Sequence, residues 1–330
     1  MDPAGQRLPE IGDVRAAAAR LKGLIVNTRL VESPALNDRF GARLLFKPET
    51  LQRTGSFKFR GAYNKISTIP AEERSRGVVA FSSGNHAQGV AAAAAMFGIK
   101  AVIAMPHDAP KIKIENVRRM GADIIAYDRF VDDRAAVVAP YVKARGMVLV
   151  PPFDDPAIIA GQGTIGLELV AEAKELGVNL DAVIIPCGGG GLSSGISLAV
   201  KAGSPDTEIW IAEPEHFDDT KRSLAAGERV SNEPGHNSIC DALLSPEPGA
   251  VTFAINRKTL AGGITVSDNE TAAAMRDAAS YLKLIVEPGG AVAFAAVASG
   301  KIDLAGKCVV VVLSGGNTDL GAYADIIASH

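Results

Sequence analysis

Four consecutive glycines form the segment of this sequence that most clearly indicates ligand chemistry. They lie in Cys187-Gly188-Gly189-Gly190-Gly191-Leu192-Ser193-Ser194-Gly195, directly after the apolar run Ala182–Ile185. Without Cβ atoms in the way, successive backbone N–H groups can turn toward one point, and a helix beginning near Leu192 adds its positive dipole end. The segment therefore predicts a phosphate cradle. It has neither the Lys-Ser/Thr ending of a Walker loop nor a GxGxxG dinucleotide fingerprint, and the alternative interpretation is a flexible turn.

A lysine between aromatic residues is the second candidate. Lys58 lies in Thr54-Gly55-Ser56-Phe57-Lys58-Phe59-Arg60-Gly61-Ala62. Apolar surroundings desolvate an ammonium group, lower its pKa and make the amine nucleophilic toward an aldehyde. The alternative is an ordinary surface lysine.

Two polar turns complete the set of candidate chemical groups. The first, Ser82-Ser83-Gly84-Asn85-His86, follows a predicted strand, so its hydroxyls and a helix N-terminus can hold a carboxylate while Asn85 bonds a ring oxygen. The alternative is a helix cap formed by Ser83 or Asn85, with His86 as a structural residue or ligand contact. The second, Leu313-Ser314-Gly315-Gly316-Asn317, ends the last apolar run, where the Ser314 hydroxyl can meet a cleft or the glycines can form a plain turn.

Short apolar runs alternating with helical stretches must position these turns. Helices are predicted over Ala87–Phe97 and Lys111–Met120, and strands over Gly77–Phe81, Ala101–Met105, Ile124–Tyr127, Ala182–Ile185, Glu208–Ala212 and Val309–Leu313. Near-continuous apolar strands separated by helices indicate an α/β protein with a mainly parallel sheet covered on both faces. Ligands of such sheets bind at the carboxyl ends of the strands, where the polar turns and the glycines lie.

A break at Pro151-Pro152 divides the strand–helix series in two. The series before it predicts a small inserted lobe, residues 53–146. Residues 1–52 and 147–330 then form a larger lobe.

Composition and charge exclude several classes of partner. The 330 residues carry a formal net charge of −3 with dispersed Lys and Arg, so neither nucleic acid nor a membrane surface is expected as a partner. No apolar run approaches the roughly 20 residues that span a bilayer, and the polar start is unlike a signal peptide. Cys187, Cys240 and Cys308 show no pairing or metal-ligand spacing, and Cys187 and Cys308 lie in apolar runs, which predicts buried, reduced thiols in a cytoplasmic protein.

Together the motifs resemble those of fold-type II pyridoxal-phosphate (PLP) enzymes, specifically the serine/threonine dehydratase family with its threonine dehydratase and serine racemase branch. The resemblance covers nearly the whole chain and includes Pro156–Thr164 and Val286–Ala291. It implies the tryptophan synthase β-like fold, with two lobes that each contain an open, mainly parallel twisted sheet with helices on both faces.

The resemblance also implies roles around the cofactor. Lys58 would hold PLP as a Schiff base and, once freed by substrate, take the Cα proton. Phe57 would pack on the ring, Asn85 would bond its 3-hydroxyl and Ser314 would meet the pyridine nitrogen. The other implied cofactor residues are Glu287 and the phosphate cradle of Gly188, Gly189, Gly190, Gly191 and Leu192.

For the substrate carboxylate, the resemblance implies a binding turn made of Ser82, Ser83, Asn85 and His86. In racemase-like members a serine at the position of Ser83 faces the substrate from the side opposite the lysine and can return a proton there. The alternative is that Ser83 only binds the carboxylate.

Two further residues resemble substrate side-chain ligands. Arg134 falls where racemase-like and 3-hydroxyaspartate-acting members have an arginine, which can hold a second carboxylate in bidentate fashion. A solvated helix arginine is the alternative. Ser245 is placed similarly, although its loop, Leu243–Gly249, departs from the racemase pattern.

A divalent cation site is also implied. Family members with such a cation bind it through an acidic residue, a backbone carbonyl four residues on and an acidic residue two further on, which here are Glu213, Phe217 and Asp219. Oxygen ligands of this kind suit Mg²⁺ or Ca²⁺. Glu215 and Asp218 are rival ligands, and the alternative is an acidic surface turn.

The expected activity is that of an L-threonine/L-serine ammonia-lyase that acts on a small hydroxy-amino acid as a homodimer. A serine racemase with dehydratase side activity and a 3-hydroxyaspartate dehydratase are the alternatives within the family. From a different class, a PLP-fold protein that binds amino acids without turnover remains open.

Overall fold

Two β-sheets organise the chain in the computed structural model, which describes residue 5 and residues 7–82, 84–128 and 131–328. In these ranges the strands are β1 (Val31–Glu32), β2 (Arg43–Pro48), β3 (Val78–Phe81), β4 (Ala101–Pro106), β5 (Asp123–Tyr127), β6 (Val148–Leu149), β7 (Ala182–Pro186), β8 (Glu208–Pro214), β9 (Gly262–Val266) and β10 (Cys308–Leu313). The α-helices there are α1 (Ile11–Leu21), α2 (Pro34–Phe40), α3 (Lys58–Thr68), α4 (Ala71–Arg74), α5 (Asn85–Met96), α6 (Lys111–Arg119), α7 (Arg134–Arg145), α8 (Pro156–Glu175), α9 (Gly191–Gly203), α10 (Asp219–Ala226), α11 (Ala250–Thr259), α12 (Asp268–Asp277), α13 (Pro288–Ala298) and α14 (Leu320–Ala328).

The larger sheet has six strands in the order β1-β2-β10-β7-β8-β9, and only the β1–β2 pair is antiparallel. The apolar side chains of β10 are buried on both faces of this sheet, because successive side chains of a strand point to opposite sides. Val309 and Val311 pack with α13 on one face. Val310 and Val312 pack with α8 and α9 on the other. This arrangement explains why the central strands read as continuous apolar runs.

The smaller sheet has four parallel strands in the order β5-β4-β3-β6. Val78 and Ala80 face a core shared with α3 and α5, whereas Val79 packs with α7 on the opposite face. The predicted α/β class, with two mainly parallel sheets covered by helices, is therefore confirmed. The lobe limits 53–146 stay a prediction, and β6 extends the smaller sheet to Leu149.

The cysteines differ in part from expectation. Cys187 and Cys240 are buried free thiols. Cys308 is only half-buried, because it is the first residue of β10 and lies at the margin of the sheet. The prediction of burial was therefore wrong for Cys308. Within the described ranges, no helix combines the length and the apolar character needed to cross a membrane.

Candidate active site

A cavity of about 120 Å³ lies at the carboxyl ends of strands from both sheets. Turns that follow β3, β7 and β10 form its walls, as expected for parallel sheets. The predicted site residues that line it are Phe57, Lys58, Ser82, Asn85, His86, Arg134, Gly188, Gly189, Gly190, Gly191, Leu192, Ser245 and Ser314. Ser83, the predicted proton donor, lies outside the described residues.

Lys58 begins α3 and points its amine into this cavity. Its Nζ donates a hydrogen bond to the carbonyl oxygen of Pro152 at 2.7 Å and lies 5.1 Å from the centre of the Phe57 ring. Although part of the side chain is open to the cavity, burial of the amine lowers the pKa of Lys58 to about 8. An appreciable share of neutral, nucleophilic amine is therefore present near neutral pH.

The glycine loop connects β7 to α9. Gly190 has φ 89° and caps α9, whose first N–H groups have no partner within the helix. A Cβ at Gly190 would lie 2.9 Å from both the Asn256 amide and the Thr252 hydroxyl, which brace the loop from behind. The loop thus presents backbone donors and a helix N-terminus to the cavity, the arrangement that binds a phosphate.

Asn85 is held from both ends of its amide. Its Nδ2 donates a short hydrogen bond to Oε1 of Glu287, and its Oδ1 accepts from Asn317 Nδ2 at 2.9 Å. Glu287 is 1% exposed and meets the cavity wall through Asn85. The amide of Asn85 keeps one N–H free of these two partners, and that group can serve a ligand in the cavity.

The turn after β3 differs from the predicted helix cap. Gly84 is the N-cap of α5 and Asn85 is the first helical residue, so the alternative interpretation of a cap formed by Ser83 or Asn85 is wrong for Asn85. His86 Nε2 lies 2.8 Å from the carbonyl oxygen of Val150 and therefore carries the proton, because a carbonyl can only accept. Burial, together with the charge of Lys58, lowers the pKa of His86 to about 3. His86 is consequently a neutral hydrogen-bonding group rather than a proton donor to substrate.

Ser314 directly follows β10 and is hydrogen-bonded to Phe57, the residue before Lys58. Its backbone oxygen accepts a hydrogen bond from Phe57 N at 3.1 Å, which joins the end of the large sheet to the start of α3. The Ser314 side chain is largely buried and faces the cavity. A hydroxyl, and not a carboxylate, is thus available at this wall.

The sequence profile of the family "Pyridoxal-phosphate dependent enzyme" matches residues 21–315. The chain belongs to this family. It is 42% identical to the L-threo-3-hydroxyaspartate ammonia-lyase of Saccharomyces cerevisiae over 97% of both chains. It is 41% identical to the L-threonine ammonia-lyase of Thermotoga maritima, over 96% of this chain and 77% of that one. The structure of maize serine racemase superimposes with a TM-score of 0.91 at 37% identity, over 98% of each chain.

The cavity of this PLP-dependent enzyme fits the cofactor of the family. The glycine loop offers phosphate donors at one wall, and the amine of Lys58 lies in the same cavity with its pKa lowered by burial. Asn85 and Ser314 supply an amide N–H and a hydroxyl for the polar atoms of the ring. Aldehyde, phosphate and ring of PLP thus each find a suitable group.

Arg134 and Ser245 border the part of the cavity beyond these residues. Arg134 is the first residue of α7, is half-buried and holds its guanidinium 5.0 Å from the centre of the Phe81 ring. The Ser245 hydroxyl lies close to Gly188 of the glycine loop. Both predicted substrate residues therefore line the cavity, and their roles stay predictions.

Lys113 and Asp241 also line the cavity, although no motif pointed to them. Lys113 is buried in α6 and lies 3.0 Å from Asp241, which is far away in sequence. A signal was present, because Lys113 comes four residues before the buried Val117 and so shares the apolar face of the helix. A lysine on that face needs an anionic partner, but only the folded chain reveals which one.

The predicted cation ligands lie apart from this cavity, around the start of α10. Both oxygens of Glu213 accept backbone hydrogen bonds, from Thr220 N at 3.1 Å and Lys221 N at 2.9 Å. Asp219 is fully buried, and its Oδ2 has no hydrogen-bond partner among the described residues. Burial and the neighbouring carboxylate of Asp219 raise the pKa of Glu213, and burial raises that of Asp219 to about 7. In the described ranges no group of three or more His, Cys, Asp or Glu side chains is arranged for a metal, so a cation here would need the Phe217 carbonyl.

Proposed function

We propose that this PLP-dependent enzyme is an ammonia-lyase that removes water from L-threonine and L-serine and yields a 2-oxo acid and ammonia. The observation that carries the proposal is the Lys58 amine, with its lowered pKa, in one cavity with the glycine loop, Asn85 and Ser314. Loss of the Cα proton and of the β-hydroxyl as water leaves an enamine. Its hydrolysis gives the 2-oxo acid and ammonia.

Residues of this chain are proposed to have separate roles around the cofactor. PLP, when bound, supplies the electron sink that makes the Cα proton acidic. Lys58 holds the cofactor covalently and accepts the Cα proton, while the loop Gly188–Leu192 binds the phosphate. Asn85 donates to the ring hydroxyl, Phe57 packs on the ring and Ser314 meets the ring nitrogen without requiring it to be protonated. Beside this hydroxyl, bound PLP would be a weaker electron sink, which would favour rapid loss of the β-hydroxyl.

The turn at the start of α5 is proposed to bind the substrate carboxylate. Ser82 lines the cavity together with Asn85 and His86, whose backbone N–H groups belong to the first turn of α5 and favour an anion there. The His86 ring would not donate to the carboxylate, because its N–H already meets the Val150 carbonyl. Ser83 belongs to the same turn, and its role in returning a proton remains a prediction. Ser245 is proposed to contact the substrate side chain.

Arg134 favours a second candidate function, the elimination of water from L-threo-3-hydroxyaspartate. Its half-buried guanidinium borders the cavity beside Phe81 and can bind a second carboxylate. The yeast relative is named for this activity. The two candidates therefore differ in whether Arg134 takes part in substrate binding.

Release of 2-oxo acid from L-threonine, L-serine and L-threo-3-hydroxyaspartate distinguishes these candidates. Arg134→Ala is expected to lower kcat/KM for threo-3-hydroxyaspartate about 100-fold, because losing a buried ionic partner costs about 2–5 kcal/mol. For threonine and serine the change is expected to stay below about threefold, since neither carries a second carboxylate. Arg145→Ala, an exposed arginine at the other end of α7, is the matched control.

The wild-type profile decides which activity dominates. Faster release from threonine or serine supports the ammonia-lyase first proposed, whereas a preference for threo-3-hydroxyaspartate that disappears in Arg134→Ala supports the second. If PLP-loaded protein releases no oxo acid from any of the three, the proposal is wrong.

We also propose a Mg²⁺ or Ca²⁺ site formed by Glu213, the Phe217 carbonyl and Asp219. Two buried carboxylates in close proximity repel each other and are costly to keep ionised, and a cation between them would relieve both effects. The unpartnered Oδ2 of Asp219 supports this interpretation. The cation would be structural, because its ligands do not line the active-site cavity.

Removal of divalent cations is expected to lower Tm by about 4 °C relative to protein in cation at about 100 times its Kd, since such binding stabilises by about 2.7 kcal/mol. Asp219→Asn should abolish this response, whereas Asp206→Asn, an exposed residue in the turn before β8, should retain it. Differential scanning calorimetry with and without chelator measures the effect. An equal response in Asp219→Asn and wild type would exclude this site.

A homodimer and a cytoplasmic location complete the proposal. Val26, Leu51 and Ile285 are 45–55% exposed apolar residues. Hydrogen bonds of Gln52 to Val26, and the packing of Gly316 against Ile285 and Thr50, bring them to one side of the molecule. A second copy would cover this apolar surface. The three free thiols support a reducing compartment.

A further inference from the structure

The buried ammonium of Lys113 links helix α6 to two acidic residues that are distant in sequence, beside the active site. It extends from α6 to Asp241 and to Glu287, the residue that caps α13 on the larger sheet. Its Nζ lies 3.0 Å from Asp241 Oδ2 and 3.1 Å from Glu287 Oε2, and the side chain is only 2% exposed. Asp241 has no role in the chemistry proposed above. Glu287, which the resemblance places among the cofactor residues, is not part of the cavity lining and reaches the cavity through Asn85.

Glu287 depends on Lys113 for its charge. Its Oε1 is occupied by Asn85, while its Oε2 has no hydrogen-bond partner in the described ranges and only the ion pair with Lys113. A buried carboxylate without a cation is strongly disfavoured. Burial raises the pKa of Glu287, the charge of Lys113 opposes that rise, and the nearby charge of Asp241 adds to it. Removal of the ammonium would therefore leave Glu287 protonated.

The charge of Glu287 decides what Asn85 can do. An ionised carboxylate only accepts hydrogen bonds, so it keeps the Nδ2 side of the Asn85 amide turned toward itself. A protonated Glu287 can donate as well as accept, and it then tolerates the opposite orientation of the amide. Asn317 supports the observed orientation from the other end, because its Nδ2 donates to Asn85 Oδ1.

Two glycines leave room for this chain of side chains. A Cβ at Gly84 would overlap Cδ of Lys113, and a Cβ at Gly315 would overlap Oε1 of Glu287. The φ of Gly84 lies outside the left-handed region, and the close approach of Lys113 is what requires a glycine here. The turns after β3 and β10 are thus shaped around Lys113 and Glu287 as well as around the cavity.

We propose that Lys113 is a positioning residue for the cofactor ring, acting through Glu287 on the Asn85 amide. The inference rests on the proposed function, in which Asn85 donates its remaining N–H to the ring hydroxyl. Lys113 makes no contact with the ring in this scheme. Its ammonium keeps Glu287 ionised, Glu287 orients Asn85, and Asn85 fixes the ring relative to Lys58.

Lys113→Met, which keeps the length of the side chain and removes its charge, is expected to raise the Kd for PLP about tenfold, the equivalent of about 1.4 kcal/mol. The absorption spectrum of the bound cofactor and its dependence on pH should change as well, because the ring hydroxyl loses an oriented donor. Lys113→Arg should restore the wild-type spectrum. Lys111→Met, which removes an exposed charge from the same helix, should leave both the Kd and the spectrum unchanged.

Glu287→Gln tests whether Lys113 acts on Asn85 through Glu287. It should reproduce the spectrum of Lys113→Met, and the double variant should bind PLP no more than about twofold more weakly than Glu287→Gln alone, since the two residues act in series. Asp241→Asn, which keeps the Lys113–Glu287 pair, should retain the wild-type spectrum. The apo-protein melting temperature shows whether each variant is folded.

Additive effects of Lys113→Met and Glu287→Gln would overturn the proposal, as would a wild-type spectrum in Glu287→Gln. A spectral change in Asp241→Asn without one in Glu287→Gln would make Lys113 only a link between α6 and its acidic partners, and would also overturn it. If Lys113→Met does not fold, Glu287→Gln and Lys113→Arg still decide the question. A wild-type protein that forms no covalent link with PLP would instead contradict the proposed function itself.

Discussion

Lys58→Ala is expected to lower kcat for 2-oxo acid release by about 10⁴-fold, because the substitution removes both the covalent attachment of the cofactor and the base for the Cα proton. No other lysine amine in the described ranges combines a place in the cavity with freedom from a carboxylate, since Lys113 is held between Asp241 and Glu287. Water cannot replace the Lys58 amine as the covalent attachment point of the cofactor. Residual PLP binding through the glycine loop should survive, so the loss should appear in kcat more than in cofactor occupancy.

Two comparisons separate loss of chemistry from loss of structure. Lys58→Arg keeps a positive charge but no nucleophilic amine, and it should be as inactive as Lys58→Ala. Lys22→Ala, an exposed lysine after α1, should keep full activity. Borohydride reduction followed by mass spectrometry measures the covalent cofactor, which should be present in wild type and absent from both Lys58 variants. Turnover in Lys58→Ala close to that of wild type would refute the role assigned to this residue.

The fold class and the positions of the polar turns follow from local patterns. Strands β3, β4, β7, β8 and β10 are buried on both faces, so their apolar runs are visible without knowledge of partners. Each turn with chemical groups follows such a strand directly, and parallel strands bring their carboxyl ends to one edge. This is why Asn85, the glycine loop and Ser314 could be predicted to meet. Lys58 directly follows no such strand, and only the family resemblance predicted that it joins them.

Strand β2 was not predicted, because it contains a charged residue that the sequence alone does not indicate to be buried. Lys47 interrupts the apolar run Leu44–Phe46, yet it is fully buried. Its ammonium is 2.7 Å from Glu168 and 3.1 Å from Glu172, both on α8 and more than 100 residues away. A buried lysine is tolerable only with such partners, and no local pattern reveals them.

Strand β9 was missed for a different reason. It begins with Gly262 and Gly263, which weaken the strand signal because glycine has low β-propensity. A Cβ at Gly262 would lie 2.6 Å from the Trp210 ring on the neighbouring strand β8. The strand pattern disfavours glycine at position 262, yet the ring of Trp210, more than 50 positions earlier, leaves no room for a side chain there. The cap of α5 and the Lys113 cluster were missed on the same ground, since both depend on packing between distant segments.

Gly190→Ala is expected to raise the Kd for PLP about 100-fold. The φ of 89° at this residue is disfavoured for any side chain, at a cost of about 1–2 kcal/mol. The new methyl group would also press on Asn256 and Thr252, whose hydrogen bonds to Ser193 and the Gly189 carbonyl hold the loop in shape. The two effects together approach the roughly 2.7 kcal/mol that a 100-fold change represents.

A matched glycine and a truncated ligand isolate the cause. Gly177 has φ 65°, and a Cβ added there would have nothing within 4 Å, so Gly177→Ala carries the backbone strain without the collision and lies far from the cavity. It should lower Tm as Gly190→Ala does but leave the Kd for PLP unchanged. Pyridoxal, which lacks the phosphate, should bind Gly190→Ala and wild type about equally, because only the phosphate uses the loop. Equal weakening of pyridoxal and PLP would mean that the glycine loop shapes the whole cavity and does not act as a phosphate cradle.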